Sequence, residues 1–375
     1  MNRIVLLLLL PMLMASACNK EVKPLPDEPF FYSQRLYAPG DYGSVNWRIP
    51  ALLCLDDGTL LAVNDKRKYN ESDLPEDIDI VCRRSSDNGR TWSEPQTLAE
   101  GTGYKHGYGD PALVQCEDGN VLCLFVGGNG LWASTESDPI RSFVCRSTDR
   151  GLTWGEPVEI TSLLWGSQVV NPACRDYKSS FFGSGNALRL KQGPHRGRVM
   201  VAAAMGRKNV NKLDNFVVYS DDNGLTWNVS DKAFTEGDEA KLMELADGTV
   251  LISVRRSGAR GYNRSADGGQ TWGQQGTWPE MTTNACNGDM LRVNDTLLLH
   301  SIPNSMQRRD VSLYLSTDEG RTWRSPVLLC EGPSVYSSLT LLSDGSIGAY
   351  AERNPDGACE LWYYNFNLAW LLSHH

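Results

Sequence analysis

Apolar residues in this chain come in short runs bounded by turn-forming residues, and no long segment repeats its apolar positions with a helical period. Pairs of runs are joined by Asp-Gly: Leu53 to Val63 turns at Asp57-Gly58, Leu113 to Leu124 at Asp118-Gly119, Leu242 to Val254 at Asp247-Gly248, and Leu339 to Tyr350 at Asp344-Gly345. Asp-Gly tolerates the left-handed backbone that a tight turn between strands demands, so each pair predicts a β-hairpin. Weaker versions stand around Gly193 to Gly197 and at Asn294-Asp295, which brings the expected hairpins to six.

Between these hairpins the octet S-x-D-x-G-x-T-W recurs five times, at Ser85 to Trp92, Ser147 to Trp154, Ser220 to Trp227, Ser265 to Trp272 and Ser316 to Trp323. Its residues read as a turn. The Asp caps backbone N–H groups, the Gly accepts a positive φ, and Thr-Trp re-enters a strand with a large ring to bury. Side chains consumed in this way are read as structural and remote from chemistry. Hairpin, third strand, octet turn and fourth strand make one antiparallel unit, and six units of about sixty residues predict an all-β, six-bladed β-propeller. The sixth unit ends with the chain, so a strand near Phe31 to Tyr37 is expected to complete its sheet and close the ring.

A length of 375 residues exceeds an ordinary domain, but repeat-built all-β folds reach it around one axis. The expected organisation is a leader over 1–17, a tether over 18–30 and one propeller over 31–375. In the leader, Arg3, the apolar run Ile4 to Leu10 ended by Pro11, and Ala15-Ser16-Ala17 have the order of a signal peptide. The run is too short to span a bilayer. Cys18 follows directly, as the acylated cysteine does in bacterial lipoproteins, which this segment resembles; Ala15-x-Ala17 also suits ordinary signal peptidase, leaving plain secretion as the alternative. The expectation is an exported monomer, periplasmic or at the outer membrane or cell surface, that meets a membrane only through a lipid on Cys18. Asn19 to Pro29 would be its flexible tether.

Apolar residues at 41% and charged residues at 22% describe a chain able to bury a core. The net charge of −9 argues against nucleic-acid binding, so an anionic ligand must meet a local cationic site. Setting Cys18 aside leaves nine cysteines, an odd number without a CxxC pair, which indicates neither a zinc ribbon nor a complete disulfide framework. Cysteines within apolar runs, as in Val81-Cys82-Arg83, Leu122-Cys123-Leu124 and Val144-Cys145-Arg146, read as small buried hydrophobes. The five histidines are scattered, and no metal or other cofactor is expected.

Octets of this type are called Asp boxes. Together with Trp47-Arg48-Ile49-Pro50 near the start of the first unit, they resemble those of the sialidases (neuraminidases) of the retaining exo-α class. Further matches follow the family's order as far as Phe366-Asn367-Leu368-Ala369-Trp370-Leu371. The resemblance implies hydrolysis of terminal α-linked sialic acid from glycans or glycoconjugates, without a cofactor. Sialic acid carries a carboxylate on its anomeric carbon, which calls for forked cations. The family's three arginines fall on Arg48, on Arg255 at the end of the pair Asp238-Glu239-Ala240-Lys241 to Ser253-Val254-Arg255, and on Arg308 in Gln307-Arg308. Arg256 and Arg309 are adjacent rivals, since strand alternation lets one of each pair face a cleft.

The nucleophile implied is Tyr336 in Val335-Tyr336-Ser337-Ser338-Leu339, with Glu239 as its base. A neutral phenol avoids the repulsion that a carboxylate nucleophile would meet from the substrate's own carboxylate. The acid/base is expected on the loop after Arg67, which offers Glu71, Asp73, Glu76, Asp77 and Asp79. Asp73 is preferred for its spacing from Arg67, itself matched to a further substrate-contacting arginine. Glu352 matches a glutamate that orients the first arginine, although Ala351 replaces a frequent tyrosine before it. Asp110, in Gly109-Asp110-Pro111, is read either as lining the pocket for the N-acyl or glycerol side of the sugar or as an Asp-Pro turn. Trp132, Trp165 and Tyr177 are read as walls or core. The competing expectations are a non-catalytic Asp-box propeller that binds glycan or protein, and an enzyme of the same mechanism that acts on a related 2-keto sugar acid or transfers the sugar.

Overall fold

The computed structural model describes residues 28–375; the leader expected in 1–17, Cys18 and most of the tether expected in 18–30 lie outside the described residues. The fold is all-β with short helices such as Thr161–Leu164 and Leu368–Ser373, and its sheets succeed one another in a propeller-like arrangement. Asn46–Cys54, Leu60–Arg67, Ile78–Ser85 and Gln96–Ala99 form one antiparallel sheet in chain order. Ala240–Glu244, Val250–Val254, Ser257–Ser265 and Gly276–Asn284 form another. Tyr108–Gln115, Val121–Gly128, Ile140–Ser147 and Val158–Glu159 make a third, beside which Gly185–Asn186 runs parallel to Tyr108–Gln115.

Two places depart from simple repetition. The weak signal near Gly193 to Gly197 is indeed a turn, but the strand before it is broken: Tyr177–Phe182 and Leu188–Arg189 both pair with Val199–Arg207, separated by the excursion of Gly185–Asn186 to the neighbouring sheet. The break falls where a Cβ on Gly183 would lie 2.0 Å from the carbonyl oxygen of Ala240. The second departure is Arg324–Leu341, whose first half pairs with Arg309–Ser316 and whose second half pairs with Ile347–Arg353, fusing seven strands into one sheet. That sheet ends with Phe31–Tyr37 paired antiparallel to Glu360–Phe366, as chain closure requires.

The octets form the turns between third and fourth strands. In the first, the Ser85 hydroxyl donates to Asp87 Oδ1 (2.8 Å) and accepts from Gly89 N–H (2.9 Å), while Asp87 accepts from Thr91 N–H (2.9 Å) and Oγ1 (2.6 Å). The residue before the glycine also adopts a positive φ, 57° at Asn88. Gly89 serves a second purpose, since a Cβ there would meet the ring of Tyr363 at 2.1 Å. The octet of the first sheet is thereby docked on the sheet that holds the C-terminus. Gly151 abuts Leu61 and Gly320 abuts Leu251 in the same way, each against the preceding sheet.

Apolar side chains fill the spaces between neighbouring sheets. Leu61, Val63 and Ile80 pack with Leu113, Val121 and Phe125, and Met200 and Val217 pack with Leu242 and Ile252. Nine cysteines from Cys54 to Cys359 are free thiols; Cys54 is half-buried and the others are buried.

Candidate active site

The strand Asn46–Cys54 carries Arg48 and then bulges, for its pairing with Leu60–Arg67 skips between Arg48 and Ala51. Ile49 there has φ 59°, a costly conformation for a β-branched residue. What holds it is Glu352, wholly buried, whose Oε1 accepts from the Ile49 N–H at 2.7 Å. The same carboxylate accepts from Arg48 Nε (3.2 Å) and Nη2 (3.3 Å), and from the backbone N–H of Tyr336 (3.2 Å). One side chain therefore joins the first strand of the first sheet to the strand of Tyr336.

Tyr336 is 6% exposed, and its hydroxyl donates to Glu239 Oε2 at 2.7 Å. Arg255 Nη1 donates to the same phenolic oxygen at 2.8 Å and also to Glu239 Oε2. Glu239 precedes Ala240–Glu244 and Arg255 follows Val250–Val254, so the hairpin sets them side by side; Arg255 N–H donates to Glu239 C=O at 2.8 Å. Burial, then the charge of Glu239, push the Tyr336 phenol well above its ordinary value, while Arg255 and Arg48 pull the other way. The Tyr336 hydroxyl thus keeps its proton, directed at Glu239 Oε2. Arg48 lies over the Tyr336 ring at 5.2 Å and Arg308 at 5.8 Å, so three cations surround that side chain.

The structure separates each arginine from its rival. Arg308 lines a cleft of about 530 Å³ with Arg48, Glu71 and Val335, whereas Arg309 turns to Asp310 (2.8 Å). Arg255 binds Glu239 and, through Nε, Asp238 (3.3 Å), whereas Arg256 lies over the ring of Phe234.

The loop after Arg67 is sorted by its partners. Lys68 takes Asp77 (2.9 Å) and Asp79 (2.8 Å), and Glu76 accepts from Asn70 (3.0 Å). Asp73 stands 79% exposed at the mouth, 2.7 Å from Arg67 Nη2 and 3.9 Å from Arg48 Nη1. Partial desolvation would raise its proton affinity, but Arg67 and Arg48 outweigh it and hold the carboxyl below the usual range. Asp110 sits at a bulge like that of Ile49, with φ 59° before Pro111, and its N–H donates to the buried Asp65 at 3.2 Å. Burial, with Asp65, Asp73 and Glu239 adding to it, pushes Asp110 well up.

Of the aromatic candidates, Trp165 and Tyr177 belong to the apolar core, and the Tyr177 hydroxyl is spent on Asp214. Trp132 is half exposed and lines a recess of about 350 Å³ with Asp238, Arg255 and Ala285. Two participants were not singled out from the sequence. Asp238 is masked by its neighbour Glu239; Asp65 shares a strand face with Arg67, and that two-residue spacing was the available signal. Among the described residues no group of three or more His, Cys, Asp or Glu is placed to hold a metal ion.

Fold and site together define a class: a propeller-like all-β protein with Asp-box turns, in whose cleft a buried tyrosine and glutamate meet converging arginines. Residues 58–349 match the family described as BNR repeat-like domain. A sialidase of Micromonospora viridifaciens is 33% identical, an alignment that takes in 93% of this chain and 56% of that one. A sialidase of Bacteroides fragilis (strain YCH46) is 30% identical over 84% of this chain and 61% of its own. The solved Hadza microbial sialidase Hz136 superimposes with a TM-score of 0.77 at 26% identity, covering 88% of this chain and 68% of that chain. The chain belongs to the family of BNR repeat-like domains, and the relatives named are sialidases. It spans less than two thirds of the length of the two relatives named.

Proposed function

We propose that this protein is an exo-α-sialidase that releases terminal α-linked sialic acid from glycoconjugates with retention of configuration. The observation that carries the reading is the buried Tyr336 hydroxyl bonded to Glu239 at 2.7 Å beneath Arg48, Arg255 and Arg308. A phenol in this setting is poised to be a nucleophile, because the carboxylate accepts its proton and the cations stabilise the developing phenolate. The same cations suit a substrate carboxylate.

In the first step Tyr336 Oη attacks the anomeric carbon and passes its proton to Glu239. Asp73 protonates the glycosidic oxygen, which leaves with the electron pair of the broken C–O bond. In the second step Asp73 takes a proton from water, the water oxygen bonds to the anomeric carbon, and Tyr336 leaves and recovers its proton from Glu239. Two inversions give net retention. Arg48, Arg255 and Arg308 grip the sugar carboxylate throughout, and Glu352 keeps Arg48 in register with Tyr336. Arg67 and Asp110 complete the sugar pocket.

The reading extends to the architecture: residues 31–375 form one six-bladed ring. Its support is the set of sheets in chain order, the division of Arg324–Leu341 between two pairings, and the docking of Gly89 on Tyr363 across the closure. Export, with a lipid on Cys18 as the membrane contact, is proposed from the leader's sequence. The test of function is turnover of a fluorogenic sialoside, with the anomer first released identified by NMR. Release of the α-anomer supports the proposal; no turnover across several linkages and pH values rejects it in favour of a binding module.

A further inference from the structure

Arg67 is 2% exposed, and one of its nitrogens is shared between two carboxylates of opposite surroundings. Nη2 lies 3.1 Å from Oδ2 of Asp65, which is wholly buried, and 2.7 Å from Oδ1 of Asp73, which faces solvent. Nη1 donates to the backbone carbonyl of Glu71, two residues before Asp73 on the same loop. Asp65 and Arg67 alternate along Leu60–Arg67 and so point to one face. The other oxygen of Asp65 accepts from the N–H of Asp110, on the next sheet, at 3.2 Å. A Cβ on Gly109 would be in van der Waals contact with Asp65 Oδ2, at 3.4 Å.

We infer that Asp65 is a positioning residue for the acid step: it fixes the fork of Arg67 so that Nη1 holds the loop and Nη2 holds the Asp73 carboxyl where the leaving oxygen will be. The inference rests on the sialidase reading and deepens it. The charged groups facing Asp65 are Arg67, Asp73, Arg48 and Asp110; those facing Asp73 are Arg67, Arg48, Arg255, Asp65 and Asp110. Asp65 offers two acceptor oxygens to two donors from different sheets. Asparagine offers one, and its NH2 must then oppose an N–H.

A misplaced acid slows the first step, which kcat/KM reports, only for substrates whose leaving group needs a proton, a split that a merely structural role would not reproduce; the second step, where Asp73 acts as base, is common to both. The test compares wild type with Asp65→Asn on α-sialyllactose, whose leaving alcohol is poor, and on 4-methylumbelliferyl sialoside, whose leaving phenol departs readily. Asp65→Asn is expected to lose kcat/KM on sialyllactose by about 10²-fold and on the aryl sialoside by less than about fivefold. Asp65→Glu keeps both oxygens and should show a smaller split; if Asp65→Asn does not fold, Asp65→Ser, which also removes the paired acceptors, is read by the same criterion as Asp65→Asn. Equal losses on both substrates, or no loss on either, overturn the inference. Failure of the wild type on both substrates would instead overturn the sialidase reading.

Discussion

The guanidinium of Arg48 and the carboxylate of Glu352 meet edge to edge, with Nε 3.2 Å from Oε1 and Nη2 3.3 Å from Oε2, although they lie 304 positions apart in the chain. Glu352 also accepts from the Tyr336 N–H, so it ties an anion-binding cation to the proposed nucleophile. Glu352→Gln leaves the volume but turns an NH2 toward donors at a position that water does not reach. It should cut kcat/KM by about 10²-fold and lower Tm, because it strands buried donors. Steady-state kinetics with thermal melts checks this; a variant with native kinetics would remove Glu352 from the site's machinery.

Arg308 and Arg309 are adjacent in sequence and opposed in direction. Arg308→Ala should raise KM and lower kcat together, reducing kcat/KM by about 10²-fold, since the charge it grips persists into the transition state. Arg309→Ala should stay within about threefold, because its partner Asp310 is at the surface. The reverse pattern would mean that the cleft is lined differently.

Asp73 is held low by Arg67 and Arg48, so in the free protein it loses its proton at a pH below that of an ordinary aspartate. An acid must be protonated to act, and kcat/KM should therefore fall as pH rises through that depressed value. A bound substrate carboxylate neutralises part of the cationic field and restores the proton affinity of Asp73. The alkaline limb of kcat should consequently lie at higher pH than that of kcat/KM. Profiles of both, measured on sialyllactose, decide; coincident or inverted limbs contradict the assignment of Asp73.

The octet aspartates act on stability. Hydrogen bonds from Thr153 hold Asp149 down to about 2; Asp222 and Asp267 are likewise held to about 2, against opposing desolvation, by Thr226 and Thr271. A depressed carboxyl stabilises the fold above its unfolded value of about 3.9, and that contribution disappears as pH falls through the folded value. Tm should thus drop between about pH 4 and pH 2. Asp149→Ala should lower Tm by about 2 °C at neutral pH and leave kcat/KM within a factor of about two. A large kinetic effect would contradict a purely structural octet.

What was legible in the sequence is what local chemistry decides. The octets and Asp-Gly turns announce themselves because their hydrogen bonds close within a few residues, and the strand Phe31–Tyr37 follows from an unfinished last sheet. The broken strand from Tyr177 was not legible, since it depends on the approach of Gly183 to Ala240 in another sheet. Asp65 was hidden for a related reason: as one of four consecutive polar residues at the end of its strand, Asn64 to Arg67, it looks ordinary until Arg67, Asp110 and the loop of Asp73 are brought around it. Trp165 and Tyr177 needed the packed core to be told from a cleft wall.

Retention through a tyrosyl intermediate requires a covalent bond to one phenolic oxygen, and trapping detects that bond. Incubation with a fluorinated sialosyl fluoride, in which fluorine slows the second step more than the first, should add one glycosyl group to the intact mass. Peptide mapping should place it on Tyr336, and Tyr336→Phe should remain unlabelled. A label on another residue, or catalytic turnover undiminished in Tyr336→Phe, would contradict the account.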